Sequence, residues 1–449
     1  MTTSACDVRA HETTNPPAAP SPLNFPQIYS RTVAIDPLAP QVTALLELLP
    51  QAGPLAWVRR GDGIVGWGEV DRFTTSGAGR FHAAQQYWNR VRAAAHTEDR
   101  VNLPGTGPVA FGSFAFSRAS AQSSVLIIPQ VVVGRRGDVT WLTVLSTNPA
   151  DLDGAEGAAR DHLGTNRAAP PTPGDITVSD ASVASADWTQ IVAHAIDRIK
   201  AGELEKIVLA RDVDGVSERP IDARHLLRRL ADSYENCWTF AVDNMVGATP
   251  ELLVRTEKGL VTSRVLAGTI RRTGHDEEDT ARAAILAHSS KDLEEHEYAV
   301  DSVALALKPF CTSLNVPETP FVLHLPNVLH LASDVTAVLD TAAEATSLIL
   351  AEALHPTAAV CGTPTELAAE VILEIERMDR ARYAGPVGWV GGDGDGEWGI
   401  ALRSAALDQG DPHRIRLFAG CGIVAASDPA AELAETEAKL APMVWALQS

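Results

Sequence analysis

The stretch "GPVGWVGGDGDGEWGIALRSAAL", residues 385–407, decides the architecture. Two apolar runs rich in Val, Trp and Ile flank a Gly-Asp cluster, the composition of two strands joined by a tight turn. Such a hairpin makes neighbouring strands antiparallel, whereas a doubly wound fold needs a helix between successive strands. Its "GGDGDG" has some acidic spacing of a calcium loop, but the remaining ligands and the closing Glu are missing, so it reads as a turn. The pattern recurs upstream. "LAWVRRGDGIVGWGEV" (55–70) reads as a hairpin turning at Gly61-Asp62-Gly63, and "PVAFGSFAF" (108–116) and "SVLIIPQVVVGRRGDVTWLTVLS" (124–146) continue the sheet.

The second half mixes strands with helices, without a regular βαβ rhythm. Helical periodicity marks "DWTQIVAHAIDRIKAG" (187–202), "DARHLLRRLADSY" (222–234), a long region near 277–309, "AEATSLILAEALH" (343–355), "TELAAEVILEIER" (365–377) and the C-terminal stretch. Strands are expected at "EKIVLARDV" (205–213), "CWTFAVD" (237–243), "ELLVRTEKGLVTSRVLAG" (251–268), "FVLHL" (321–325) and "RIRLFAG" (414–420). The fold class that follows is α+β. A polar Ala/Gly/Pro-rich stretch near 148–180 reads as a surface connection. The first 25 residues are Pro/Thr/Ala-rich and expected to be disordered. The expected domain spans 26–449, with a β-rich lobe at 26–150 and a motif-bearing region at 184–449.

Composition removes several function classes. With 37 Lys plus Arg against 57 Asp plus Glu, the formal charge of −20 repels nucleic acid and anionic lipid. An anionic substrate would need a local cationic pocket or a metal. Five scattered cysteines without a CxxC suggest neither a disulfide framework nor a zinc site. The N-terminus lacks an apolar signal region and no run reaches transmembrane length, so a cytoplasmic location is expected.

Two acidic helices carry the first chemical signal. In "ELAETEAKL" (432–440), Glu432, Glu435 and Lys439 share one helical face. In "KDLEEHEYAVD" (291–301), Asp292 and Glu295 do the same beside Ala299 and Ser302. The pairs read either as solvated faces or as the hard oxygen donors of a Mg²⁺ site. Lys206 in "EKIVLARDV" alternates onto the face of Val208 and Ala210. It is either a strand-end lysine reaching water, or an ammonium beside apolar surface whose desolvation moves it toward general-base range. Glu251 follows Pro250 and enters an apolar strand, either as an edge residue or as a carboxyl held protonated. Anion-binding groups are offered by "LAGTIRR" (266–272), by Arg403 on an expected strand, and by Gly420 and Gly422 in a Gly-rich turn before the terminal helix.

In this order, "KIVLAR", "ATPELL", "LAGTIRR", "KDLEEHEYAVD", "LHPTAAVCGTP", "GPVGWV", "ALRSA", "LFAGCGIV" and "ETEAKL" resemble the chorismate-utilising enzymes, most closely their isochorismate synthase branch. The resemblance covers about 184 to the C-terminus. It implies an α/β sandwich of large antiparallel sheets with peripheral helices, Mg²⁺ dependence and chorismate as substrate. By resemblance, Lys206 is the base that activates water for attack at C2, and Glu251 the acid that protonates the departing C4 hydroxyl. Glu295 and Glu435 ligate Mg²⁺, with Asp292 and Glu432 supporting its shell. Gly268, Thr269, His330, Arg403, Gly420 and Lys439 receive the substrate, and Ala359 lies in a segment that differs between branches.

The nucleophile separates those branches. Anthranilate synthases deliver ammonia and carry Gln where Lys206 stands, Thr where Ala359 stands, and an "LLES"-type motif that is not evident here. Aminodeoxychorismate synthases show a "PIKGT"-like element in place of "VLAGT". Salicylate synthases share the lysine and then eliminate pyruvate; Ala359 leans away from them. A reading from another class is a silent scaffold or a subunit awaiting a glutaminase, against which the retained catalytic positions and Lys206 speak. No obligatory glutaminase is therefore expected.

Overall fold

The computed structural model describes residues 25–448 except 39, 40, 42, 166 and 167, so the segment expected to be disordered lies outside the described residues, Phe25 aside. Among these residues, strands assemble into one sheet of 13 and one of 10. In the larger sheet the lysine strand Lys206–Ser217 pairs with Arg414–Ile423, followed by Ser404–Leu407, Met245–Thr249 and Trp238–Val242. The N-terminal strands continue it from Leu55–Arg59. The smaller sheet runs from Cys311–Asn315 through Val328–Leu339, Leu260–Arg271, Leu252–Glu257, Gly396–Ile400 and Pro386–Gly391 to Val109–Ser113 and beyond. Pairing is antiparallel except between Tyr29–Ile35 and His96–Asp99. The hairpin forms over Pro386–Ile400, and residues 404–407, expected to extend it, cross to the larger sheet; the class is α+β.

Period-two alternation sorts side chains into two cores. Leu55 and Trp57 enter the cluster shared with Phe111 and Trp398 of the other sheet, while Ala56 and Val58 join a cluster on the opposite face. That second face is covered by the helix Ala223–Ser233 and by Leu440, Met443 and Ala446 of the terminal helix Pro429–Leu447. Trp57 and Trp238 both donate their indole N–H to Glu397 across the sheets. The two lobes expected from sequence share both sheets.

One corner joins the sheets twice. The chain leaves the larger sheet after Thr249 and enters the smaller at Leu252; it returns between Ile400 and Ser404. The Ile400 amide donates to Glu251 O and the Ala248 amide to Arg403 O, so the crossings are stitched together. Arg403, expected on a strand, lies in the second crossing at φ +47°. The chain turns there from one sheet into the other, and a φ of +47° lies outside the extended region.

Three further expectations are corrected. The stretch near 148–180 contains the helix Leu152–Gly164, whose Leu152, Ala155, Ala159 and Leu163 pack on the larger sheet. Small residues at helical spacing made that stripe hard to see. The long helix near 277–309 is two helices, Asp276–His288 and Ser290–Leu307, because Ser289 leaves helical geometry and caps the second through the Asp292 amide. The hairpin near 55–70 turns at Arg60-Gly61, both at positive φ, one residue earlier than expected. Among the described residues, no helix is long and apolar enough to cross a membrane, and the four cysteines are unpaired.

Candidate active site

One cavity is lined by strands of both sheets, by the helix Ser290–Leu307 and by the terminal helix, and every residue nominated from sequence lines it. The lysine strand contributes Lys206, Val208 and Ala210, as alternation predicts, while Ile207 and Leu209 point into the core. Glycine in the facing strand leaves the lysine its lane: a Cβ on Gly422 would lie 3.0 Å from Lys206 Cε. Gly420 and Gly422 sit within this strand, opposite Ala210 and Val208, rather than in a turn before the helix. The helix N-terminus itself is closed by Asp428, whose side chain accepts from the Ala430 and Ala431 amides. The Lys206 ammonium is hydrogen-bonded to Glu295, a partner that alternation could not foresee.

Glu251 and Arg403 reach the cavity from the sheet corner. Burial pushes the Glu251 carboxyl up to about 8 against the pull of Lys206 and Lys439, so at neutral pH it carries its proton. Arg403 is 8% exposed, and desolvation lowers its pKa. Its side chain makes a long contact from Nη2 to His330 Nε2 at 3.4 Å, and among the described residues no carboxylate pairs with it. A buried guanidinium without a counter-ion is costly unless an anion joins it.

Burial, Arg403 and Lys439 drive the pKa of His330 well below the usual value, so the ring is neutral. Arg403 only donates, which makes Nε2 the acceptor and leaves the proton on Nδ1. Nδ1–H then donates to Thr269 Oγ1 at 2.9 Å, and the threonine lines the cavity. Thr269 stands there because of a β-bulge: Ala267 pairs with Leu331 and Thr269 with His330, with Gly268 extra between them at φ +79°. The expected Gly268-Thr269 turn is thus a bulge inside a strand.

The acidic pairs close one side. Asp292 and Glu295 come from one helix, Glu432 and Glu435 from the other. Glu435 is bonded to Lys439 Nζ at 2.7 Å, and Lys439 also donates to Gly420 O at 2.9 Å. Burial, with the charge of neighbouring Glu435, pushes the Glu432 carboxyl up. Among the described residues no three His, Cys, Asp or Glu side chains are grouped tightly enough to hold an ion as they stand. Two of the carboxylates are drawn onto lysines instead. The donor set itself, hard oxygens under mutual repulsion, fits a divalent cation.

Sequence reasoning missed several residues of the site. Tyr383, stacked on Phe418, and Arg380 line the cavity, and "RYAG" carried no periodic signal. His296 follows Glu295; it bonds to Ala267 O at 3.2 Å and Ser333 Oγ at 2.8 Å, tying the acidic helix to the strand that bulges. Ala359 lines the cavity, as its segment suggested.

With this geometry established, comparison with known proteins is informative. Residues 21–448 match the family model described as chorismate binding enzyme. Isochorismate synthase DhbC of Bacillus subtilis (strain 168) is 43% identical over 272 residues, 58% of this chain and 67% of that protein. Isochorismate synthase MenF of the same organism is 32% identical over 414 residues, 86% of this chain and 85% of that one. Among solved structures, the menaquinone-specific isochorismate synthase MenF from Escherichia coli superposes with a TM-score of 0.76 at 26% identity, covering 94% of this chain and 95% of that one.

Proposed function

Since this chain belongs to the family of chorismate-binding enzymes, we propose that it is an isochorismate synthase, converting chorismate to isochorismate with Mg²⁺. The observation that carries the reading is the pairing, across one cavity, of a lysine with a buried carboxyl that holds its proton near neutral pH. An isomerisation that exchanges one hydroxyl position for another needs both functions at once. A base must take a proton from water as the C2–O bond forms, and an acid must give one to the C4 hydroxyl as it leaves as water.

Lys206 is the base, placed by a strand that points it into the cavity, and Glu251 is the acid. The ring double bonds shift as the C4–O bond breaks, and one proton is taken up and one released, so the sum is an isomerisation. Arg403 and Lys439 receive the carboxylates of the dianion, while Thr269, oriented by His330, and the Gly420 backbone receive hydroxyl groups. Glu295 and Glu435 would hold Mg²⁺, with Asp292 and Glu432 behind them; the ion would bind the ring carboxylate and offset its charge. Were Glu295 to hold the ion, Lys206 would lose its carboxylate partner.

The proposed setting is the cytoplasm, without a glutaminase, with the product feeding menaquinone or siderophore synthesis. Incubating the purified protein with chorismate and Mg²⁺ and separating the products tests the assignment. Isochorismate alone supports it. Stoichiometric salicylate and pyruvate would move it to salicylate synthase, and a requirement for glutamine or ammonia would overturn both.

A further inference from the structure

The strand that carries Lys206 has an incomplete neighbour. On the edge facing away from Arg414–Ile423, its first two residues pair with Gly362–Thr363 and its last five with Ile176–Asp180. Between them no strand among the described residues supplies hydrogen bonds, yet backbone groups buried at such a gap must be satisfied. The Val208 amide donates to Cys361 O at 2.8 Å and Ala210 O accepts from the Trp188 indole at 2.9 Å. The other two groups of Val208 and Ala210 go to an ion pair. Val208 O accepts from Arg380 Nη2 at 2.7 Å, and the Ala210 amide donates to Glu376 Oε2 at 2.8 Å.

That pair is a rigid unit. Arg380 donates to both Glu376 oxygens, at 2.7 and 2.6 Å, and the two side chains are 3% and 1% exposed. Its guanidinium lies over the Phe116 ring, 4.3 Å from the centroid, which fixes its plane. The remaining nitrogen, Nη1, donates to Val360 O at 2.9 Å. One planar group therefore holds the backbone of the lysine strand at residues whose side chains line the cavity, and the backbone beside Ala359 on another wall.

We propose that Glu376 and Arg380 are positioning residues, an ionic substitute for a missing length of strand that sets the spacing between the Lys206 strand and the wall formed by Ala359 and Val360. This inference rests on Lys206 being the base. A carboxylate and a guanidinium present an acceptor and a donor as a peptide group does, while the bidentate contact removes the slack of two independent side chains. Neither residue need touch the substrate's reacting atoms. Their effect reaches chemistry through the placement of Lys206.

Arg380→Lys tests this, since it keeps the charge but cannot make four directed bonds. The expected result is a fall in kcat of about tenfold or more with KM for chorismate within about threefold, the cost of a displaced base rather than of lost binding. Amide exchange should accelerate at 206–211 and 358–362 and remain slow in the strands near Trp57. If the variant melts lower but kcat of the folded enzyme and exchange at 206–211 are unchanged, the pair is structural only and the proposal fails. If Arg380→Lys does not fold, Glu376→Gln, which keeps an acceptor for the Ala210 amide, carries the same readouts. Wild-type protein that leaves chorismate unchanged would overturn the functional reading and with it the link to a catalytic base; paired loss of protection at the two segments would still support the pair as what spaces the strand from that wall.

Discussion

At the scale of single residues, Glu251 and Lys206 carry opposite requirements. Glu251 must be protonated to act, and its carboxyl ionises near 8 in the folded protein against 4.5 in an ordinary setting. Turnover should therefore decline as pH rises through about 8, and a pH–rate profile checks this. The stability consequence has the same sign. Between these two values the unfolded chain releases a proton that the folded protein keeps, so stability is lost as pH rises and levels off above the folded value. Glu251→Gln removes that penalty: it should abolish turnover and raise the melting temperature at pH 8, with little change near pH 4. An unchanged melting temperature at pH 8 would show that the carboxyl is not held neutral. For Lys206→Gln, loss of a general base predicts a fall in turnover of roughly 10²–10⁴-fold. Calorimetry should find chorismate affinity little changed, because Arg403 and Lys439 remain; single-turnover hydration within about threefold of wild type would rule the lysine out.

At the scale of elements, two helix faces and one bulge build the proposed metal side. Glu295→Ala or Glu435→Ala should remove Mg²⁺-dependent turnover while the fold persists, since both side chains lie on the cavity side of their helices. Retained turnover with unchanged Mg²⁺ affinity, measured by titration, would discard them as ligands. The bulge makes a separate prediction. Gly268 sits at φ +79°, and a Cβ there would lie 3.1 Å from Asp292 Cβ. Gly268→Ala forces a side chain into the left-handed region at a cost of roughly 1–2 kcal/mol and presses on the acidic helix. A lower melting temperature with a weaker response to Mg²⁺ is expected; a melting curve identical to wild type would mean the backbone there relaxes freely.

At the scale of the molecule, strands from both lobes pair within each sheet. Leu55–Arg59 pairs with Trp238–Val242 in one sheet, and Val109–Ser113 with Pro386–Gly391 in the other. A chain truncated to residues 151–449 would open two apolar strand edges at once, and such edges pair with other chains. The full chain should melt in one calorimetric transition and the fragment should aggregate without one. Two resolved transitions in the full chain would contradict a shared core.

Much of this is legible in the sequence, and the reason is range. The face shared by Lys206, Val208 and Ala210, and the face shared by Glu432, Glu435 and Lys439, follow from strand and helix periods that operate within a few residues. The hairpin of Pro386–Ile400 follows from turn chemistry equally local. The order of the motifs placed the chain in its family. Tertiary structure alone decided what depends on distant partners. Lys206 meets Glu295 from 89 positions away, and Glu376 reaches the Ala210 amide across 166. Arg403 was expected on a strand and lies in a crossing, because only the packing of two sheets determines where a chain must leave one for the other. The bulge at Gly268 likewise appears only when Leu331 and His330 claim the residues on either side of it. A residue's own neighbourhood in sequence specifies its period and its face; which charges meet there is settled when elements far apart in the chain compete for the same buried space.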